Sequence, residues 1–267
     1  MPESKKMNSF LEKLGRRSIR MLTNFGETIA FAARVFRRIF RRKTYTSAMR
    51  EVLINQIYFT SVQILPVLLL VSIVFGSLLI GIVFTMLKEL GLTQYIGHVL
   101  MGLIVTELCP LLTVLLITLR SSAAINTEMA VMKVNQEIRT LEMFHIDIMD
   151  YLLAPRVMNG IISIVLLSSL FSIVLLASGN LFSWLMLGMS MDVYSKLLLN
   201  STNFSDIWLS LFKCAVYGFF ITLIPIRFGL RASRELTSIP IVVSQGMVNV
   251  FSAIVIIEVL SLILKLL

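Results

Sequence analysis

The uncharged stretch VLINQIYFTSVQILPVLLLVSIVFGSLLIGIVFTML, residues 52–87, decides the fold class. As one α-helix it would be about 54 Å long at ~1.5 Å per residue, whereas the hydrocarbon core of a bilayer is ~30 Å thick. Its first part is more polar, with Asn55, Gln56 and Gln63, and Pro66 follows. Because proline interrupts helical hydrogen bonding, we expect the stretch to begin in the membrane interface, bend near Pro66 and only then cross.

Four more apolar stretches follow, and each is long enough to cross a bilayer. The sequence is 57% hydrophobic and only 15% charged, whereas a soluble domain carries ~25% charged residues. Buried helices of a soluble protein explain this composition poorly, so we predict an all-α membrane protein with five transmembrane helices. The third stretch is too long for its span, and we expect a break near Gly179 and Asn180, with an extracytoplasmic segment over 180–206. The predicted spans are about 62–87, 97–119, 157–178, 207–227 and 239–262.

The basic residues lie mostly on one side of this arrangement. Of the 24 Lys and Arg residues, only Lys88, Lys196 and Lys265 fall on the other side, and Lys213 lies within a span. The positive-inside rule therefore predicts a cytoplasmic N-terminus and an extracytoplasmic C-terminus. The net charge of +9 then reflects topology and contact with anionic lipids, and no nucleic-acid-binding signature accompanies it. About fifty residues precede the first apolar stretch, so we do not expect a cleavable signal peptide.

Residues 1–50 are predicted to form interfacial helices in front of the membrane domain, residues 51–267. A largely apolar stripe recurs at spacings of three and four between Leu11 and Ile29, and Arg16 and Arg20 lie largely on the other side. This pattern is typical of a cationic amphipathic helix in the head-group region. Simple anchoring explains it, and so does an elbow helix that packs against the spans and a cytoplasmic partner.

The longest cytoplasmic loop, residues 120–156, is predicted to carry a short surface helix. Val131, Val134, Ile138 and Leu141 form an apolar stripe at helical spacing, opposite polar residues. Such a stripe favours a docking face for a partner, although a helix that only covers the ends of the chain's own spans would show the same pattern.

Three charged residues fall within the predicted spans, namely Glu107, Lys213 and Glu258. Charges at such depth cost several kcal/mol unless they are paired or hydrated, so they mark candidate functional sites. Glu107 and Lys213 have opposite charges and similar predicted depth, which predicts a pair. Snorkelling of Lys213 to the interface is the alternative, and Glu258 lies near enough to the chain end to reach an interface as well.

Several common chemistries lack their sequence signatures. The chain has no GxxxxGK[ST] phosphate loop, no HExxH motif and no GxSxG elbow. The two histidines, His98 and His145, are predicted on different sides of the membrane, which argues against a shared metal site. Cys109 and Cys214 fall within spans and are interpreted as small buried apolar side chains. We therefore predict neither catalytic residues nor a metal site.

An ordered set of short motifs begins within the second span and continues through the loop that follows it, namely TELCP at 106–110, RSSAA at 120–124, TEMAVMK at 127–133, QE at 136–137, LEM at 141–143, Asp147 and APR at 154–156. The chain resembles the MlaE/YrbE family, the permease subunits of MCE-type lipid ABC transporters, whose pattern is close to RELGP, GRxGSA, AEIGxMR, EQ, MEMM, VDP and SPR. It departs from that pattern at Thr106 in place of arginine, at Cys109 and Ser122 in place of glycines, and at Ile148 in place of proline.

The resemblance implies partners and roles. It implies a homodimer, a separate ABC ATPase that holds ATP and Mg, a periplasmic MCE-domain protein and, optionally, a small STAS-type regulatory subunit, in the bacterial inner membrane. No cofactor is expected on this chain. The implied lipid-pocket residues are Glu107, Lys213, Thr106, Phe84, Leu87 and Tyr95. The implied coupling residues are Glu128, Met132, Gln136, Glu137, Glu142, Met143 and Asp147, and Glu258 is the acidic residue of the last span.

The function implied by the resemblance is movement of phospholipid, or a related lipid, between the inner membrane and an MCE-domain protein. An intramembrane lipid-modifying enzyme is one alternative, but it would need a cluster of catalytic polar groups at one depth. A different transporter or channel subunit is the other. The motif departures leave the identity of the lipid head group open.

Overall fold

The computed structural model describes residues 31–38 and 47–266, and each regular element in those two ranges is helical. The predicted amphipathic helix between Leu11 and Ile29 lies outside the described residues. The α-helices are α1 (31–38), α2 (Ser47–Ile57), α3 (Leu65–Glu89), α4 (Ile96–Val99), α5 (Cys109–Ile117), α6 (Ala123–Val134), α7 (Glu137–Met143), α8 (Ala154–Leu187), α9 (Met191–Asn200), α10 (Phe204–Gly229) and α11 (Ser238–Leu266).

Four wider, π-helical segments and one 3₁₀ turn connect some of these helices. The π-helical segments are Tyr58–Val62, Leu100–Leu108, Thr118–Ser122 and Met149–Leu153, and the 3₁₀ turn is Thr93–Tyr95. As a result, α4, α5 and α6 run end to end as one helical segment of 42 residues, Thr93–Val134.

Five helical segments within the described residues are long and apolar enough to cross a membrane. This confirms the predicted number of apolar helices and their approximate positions. In a bilayer, helices of this kind satisfy their own backbone hydrogen bonds, which irregular chain could not do there. Their bounds are Leu53–Glu89, Thr93–Val134, Met149–Met186, Phe204–Gly229 and Ser238–Lys265.

The regular α-helix of the first segment is interrupted just before Pro66, where the sequence predicts a bend. The π-helical turn after α2 ends at Val62, Gln63 and Ile64 form a turn, and α3 begins at Leu65 with Pro66 in its first turn. Proline is tolerated there because the first residues of a helix have no intrahelical partner for their N–H groups.

The third span does not break near Gly179 and Asn180, so that prediction is wrong. Helix α8 continues to Leu187 and ends at Gly188, which has a φ of 65°. A Cβ added at Gly179 would lie 1.8 Å from Cδ1 of Ile80 on α3. The glycine therefore serves the close packing of α8 on α3, and the segment between spans three and four is shorter than predicted.

The cytoplasmic loop also differs from the prediction of one short helix. Helix α6 continues the second span as far as Val134, and the chain then turns at Asn135 and Gln136, where φ of Gln136 is 61°. Helix α7 follows. The predicted apolar stripe therefore lies on two helices, with Ile138 buried.

The core lies where α8 packs on α3 and on α10, while α6 and α11 pack on α10. Helices α8 and α10 approach each other closely at two glycines, Gly160 and Gly218. A Cβ added at Gly218 would lie only 2.5 Å from the carbonyl oxygen of Gly160. Cys109 and Cys214 are both buried free thiols, as predicted. In α9, burial raises the pKa of the Tyr194 phenol, whose hydroxyl donates to the Leu176 carbonyl at 3.3 Å.

Candidate functional site: a buried charged cluster beside an apolar groove

Four charged side chains meet where α10 and α11 pack near the π-helical segment Leu100–Leu108, and we call Glu107, Lys213, Glu258 and Lys265 the charged cluster. Lys213 Nζ lies 2.5 Å from Glu107 Oε2 and 2.8 Å from Glu258 Oε2. The Lys213 side chain is 4% exposed and that of Glu107 is 7% exposed. This confirms the predicted Glu107–Lys213 pair and excludes snorkelling of Lys213 in this structure.

Lys265 completes the cluster from the end of α11. Its Nζ donates to the Gly102 carbonyl at 2.5 Å and to Thr106 Oγ1 at 2.8 Å, and it lies 3.2 Å from Glu107 Oε1. The side chain is 29% exposed, so it is the most accessible member of the cluster. The two lysines balance the two glutamates, which lowers the cost of burying all four charges.

The backbone around Glu107 is not a regular α-helix. The N–H of Cys109 donates to the carbonyl of Ile104, five residues back, and Pro110, in the first turn of α5, has no N–H of its own. Short π-helical segments in long helices often occur at functional sites because they change the direction of the side chains that follow. Here the wider turn coincides with Thr106 and Glu107, which are both buried.

An apolar groove lies directly beside the charged cluster. It has a volume of about 330 Å³ between α10 and α11, and Phe212, Phe220, Ile256 and Leu260 are among its lining residues. Leu209, Lys213 and Ser261 line both this groove and a small depression over the charged cluster. Asp206 lines the depression only. The charged side chains close on one another and leave no space for a water molecule in that depression. The site therefore joins a charged end to an open apolar surface.

The structure separates the predicted lipid-pocket residues into two groups. Glu107, Lys213 and Thr106 lie in or against the charged cluster. Phe84 packs in the core below Lys88, Leu87 contacts that core, and Tyr95 is 49% exposed beside His98, so the three do not line the depression or the groove. Their assignment to a lipid pocket stays a prediction.

Two members of the site were missed, although the sequence carries a signal for each. Lys265 follows Glu258 by seven residues, and Tyr217 follows Lys213 by four, spacings that place both pairs on one helix face. The Tyr217 hydroxyl donates to Glu258 in a short hydrogen bond. The sequence pattern places Lys265 only on the extracytoplasmic side, beyond the last predicted span at 239–262.

The predicted coupling residues lie around α6, α7 and the segment that follows. Glu128 forms an ion pair with Arg156, and Asp147 lies 2.9 Å from Arg38 of α1. The side chains of Gln136, Glu137, Glu142 and Met143 are exposed, and that of Met132 is half-buried.

Apolar side chains are also exposed on this face, with Met143 at 65% and Phe144 at 72%. An exposed apolar patch rimmed by polar residues is typical of a surface that contacts another protein or a membrane. Their coupling role stays a prediction.

Comparisons of the sequence with known proteins identify the family of the chain. The family model for permease MlaE matches residues 53–264. A probable ABC transporter permease of Synechocystis is 31% identical over 58% of this chain and 60% of its own length. One from Rickettsia felis is 25% identical over 88% of this chain and 90% of its own. The intermembrane phospholipid transport system permease protein MlaE of Haemophilus influenzae is 27% identical over 64% of this chain and 66% of its own. The chain therefore belongs to the MlaE permease family and is the permease subunit of an ABC transporter, not itself the ATPase.

Proposed function

We propose that this permease moves phospholipid between the bacterial inner membrane and a periplasmic MCE-domain protein, as a homodimer driven by its ATPase. One observation carries the proposal, namely that the charged cluster and the apolar groove share Lys213. An amphiphile has the same two parts, a charged head and apolar chains. The similarity to the Haemophilus influenzae protein named for intermembrane phospholipid transport supports the same substrate class.

The cluster is closed in this structure, so a head group needs an opening step. Lys265 is the side chain best placed to move, because it is the most exposed of the four and lies at the end of its helix. If a phosphate replaces Glu107 as the partner of Lys265, Lys265 gains the phosphate and Lys213 keeps Glu107. Each ammonium group then still makes a charge-assisted hydrogen bond. Exchange of partners then costs less than separation of charges would.

The apolar groove is open along one side, and α11 is the least buried of the five candidate spans. A second copy of the chain packed along α10 and α11 would cover the groove and enclose the acyl chains between two subunits. This geometry supports a homodimer with its lipid at the subunit interface. Phe84, Leu87 and Tyr95 would then belong to a different part of the lipid path.

The orientation with a cytoplasmic N-terminus and a periplasmic C-terminus is part of the same proposal, and the distribution of Lys and Arg supports it. It places α6 and α7 on the cytoplasmic side, where the ATPase holds ATP and Mg. Glu142 and Met143 would then contact that subunit. A STAS-type subunit is a further candidate partner on this side.

Transport by the reconstituted complex tests the proposal. Phospholipid with a labelled head group is followed from donor vesicles containing the permease and ATPase to soluble MCE-domain acceptor. Lys265→Met should lower the ATP-dependent rate roughly 10- to 100-fold, since a hydrogen bond to a charged group contributes ~1.5–3 kcal/mol.

The matched control is Lys196→Met, which removes an exposed lysine from α9 on the same side of the membrane. Its rate should equal that of the unmodified protein. An unchanged rate for Lys265→Met would remove the charged cluster from the lipid path. Recovery of chemically altered lipid from the acceptor would favour the lipid-modifying enzyme instead.

A further inference from the structure

A second polar cavity lies at the opposite end of the first three spans, and we call it the basic cavity. Its volume is about 570 Å³, and its lining includes Asn55, Gln56, Thr60, Arg120, Arg156 and Asn159. Arg120 follows Glu107 by 13 residues in the same helical segment, a separation of ~20 Å along the axis. The basic cavity is therefore separate from the charged cluster.

Arg156 indicates what kind of ligand the basic cavity can bind. Its Nη2 is bonded to Glu128, whereas its Nη1 is buried and has no hydrogen-bond partner among the described residues. The residue is 5% exposed. Buried guanidinium N–H groups are costly to leave unpaired, so the position calls for an acceptor inside the cavity.

Arg120 adds a second guanidinium, and the chain holds it in a fixed orientation. Its Nη1 donates to the Gln63 carbonyl and its Nη2 to Gln63 Oε1, both at 2.7 Å. Each guanidinium carries five N–H donors, so both arginines keep donors that these contacts do not use. Glu128 is the one carboxylate among the lining residues, which leaves the described lining with a net charge of +1.

We propose that the basic cavity binds a phosphate group, carried either by a membrane phospholipid or by a free phosphate ion. Guanidinium groups match the oxygens of a phosphate in geometry and charge, and two of them line this cavity. The buried Oε1 of Gln56 has no donor among the described residues, and a hydroxyl or ammonium group beside the phosphate supplies one. Polar head groups such as phosphoglycerol carry both parts.

The surface next to the basic cavity suits a lipid source. Val62 precedes Gln63 and is 43% exposed, and Leu119 precedes Arg120 and is 62% exposed. These apolar side chains lie in candidate spans, so acyl chains can contact them while the head group enters the cavity. The site does not depend on transport at the charged cluster, because no lining residue is shared between them.

Binding is tested with the purified full-length permease in its ATPase complex. The probes are short-chain dihexanoylphosphatidylglycerol, inorganic phosphate and dihexanoylglycerol, which has the same chains without phosphate. Arg120→Gln and Arg156→Gln should weaken binding of a phosphate-bearing probe at least tenfold. Arg139→Gln, which removes an exposed arginine from α7 in the same loop, should leave it unchanged.

The probes distinguish the two sources. Arginine-dependent binding of the lipid alone identifies a head-group site, and displacement of the lipid by inorganic phosphate identifies an ion site. Dihexanoylglycerol should bind all variants equally. Equal affinity of the four proteins for both phosphate probes overturns the proposal.

Two controls keep the test decisive. The Arg120 side chain is exposed, so Arg120→Gln decides the question alone if Arg156→Gln fails to fold. Glu107→Gln should disturb transport without changing the arginine-dependent part of probe binding. Failure of this proposal and failure of the transport proposal therefore give different results.

Discussion

Replacing Lys213 by methionine isolates the energetics of the charged cluster. Methionine keeps an unbranched chain of similar length but removes the ammonium that lies 2.5 Å from Glu107 and 2.8 Å from Glu258. Two carboxylates, 7% and 15% exposed, then lose their shared partner. Removal of one partner from a buried pair costs ~3–5 kcal/mol.

The remaining contacts set the expected value near the lower limit of that range. Glu107 keeps Lys265 at 3.2 Å, and Glu258 keeps the Tyr217 hydroxyl. We therefore expect Lys213→Met to lower the free energy of unfolding by about 3 kcal/mol, roughly a hundredfold change in the folding equilibrium. Equilibrium unfolding of the purified protein in mixed lipid–detergent micelles, followed by circular dichroism, measures the change.

Charge-balanced variants provide the decisive comparison. Adding Glu107→Gln and Glu258→Gln to Lys213→Met leaves no buried unpaired carboxylate, and the partly exposed Lys265 can reach water. Replacement of a complete buried ion-pair network is often nearly neutral, so this triple variant should recover at least half of the lost stability. The reasoning is refuted if the triple variant is no more stable than Lys213→Met, or if Lys213→Met costs less than ~1 kcal/mol.

Two further predictions concern packing and coupling. Gly218→Ala should lower the free energy of unfolding by ~1–3 kcal/mol, because the added Cβ would meet the backbone of Gly160. The control is Gly102→Ala, whose added Cβ has nothing within 4 Å and should have little effect in the same unfolding assay. Glu142→Gln should lower ATPase stimulation by the permease roughly fivefold, the equivalent of ~1 kcal/mol of docking energy, while Glu89→Gln, an exposed carboxylate at the end of α3, should leave the measured ATPase rate unchanged. If Gly218→Ala and Gly102→Ala changed stability equally, the packing role of Gly218 would be contradicted. If Glu142→Gln and Glu89→Gln changed the ATPase rate equally, the coupling role of Glu142 would be contradicted.

Some of this architecture could be predicted because it depends only on the order of residues along the chain. Span length and charge depend on composition along the chain, so the five apolar helices and an interruption of the first one near Pro66 could be predicted. The Glu107–Lys213 pair was correct because burial of a charge in a membrane leaves few alternatives to pairing.

The errors depend on contacts between helices. Gly179 suggests a break by its type alone, but the side chain of Ile80 on another helix decides that it is a packing position. Lys265 was missed for a similar reason, since its partners Thr106 and Gly102 are more than 150 residues away in sequence. Local pattern cannot show which distant surface a residue will face.

The uninterrupted helical segment Thr93–Val134 has a mechanical consequence. Glu107 lies 14 residues after its first residue, the predicted ATPase contact lies at its far end, and no loop separates the two to absorb displacement. A tilt imposed at the cytoplasmic end is then transmitted as a rigid lever motion to the contact with Lys265. We expect spin labels at Thr93 and Lys133 to keep their separation through the ATP cycle while both move relative to α11. A change in that separation would show that the lever bends and that nucleotide state is communicated by another route.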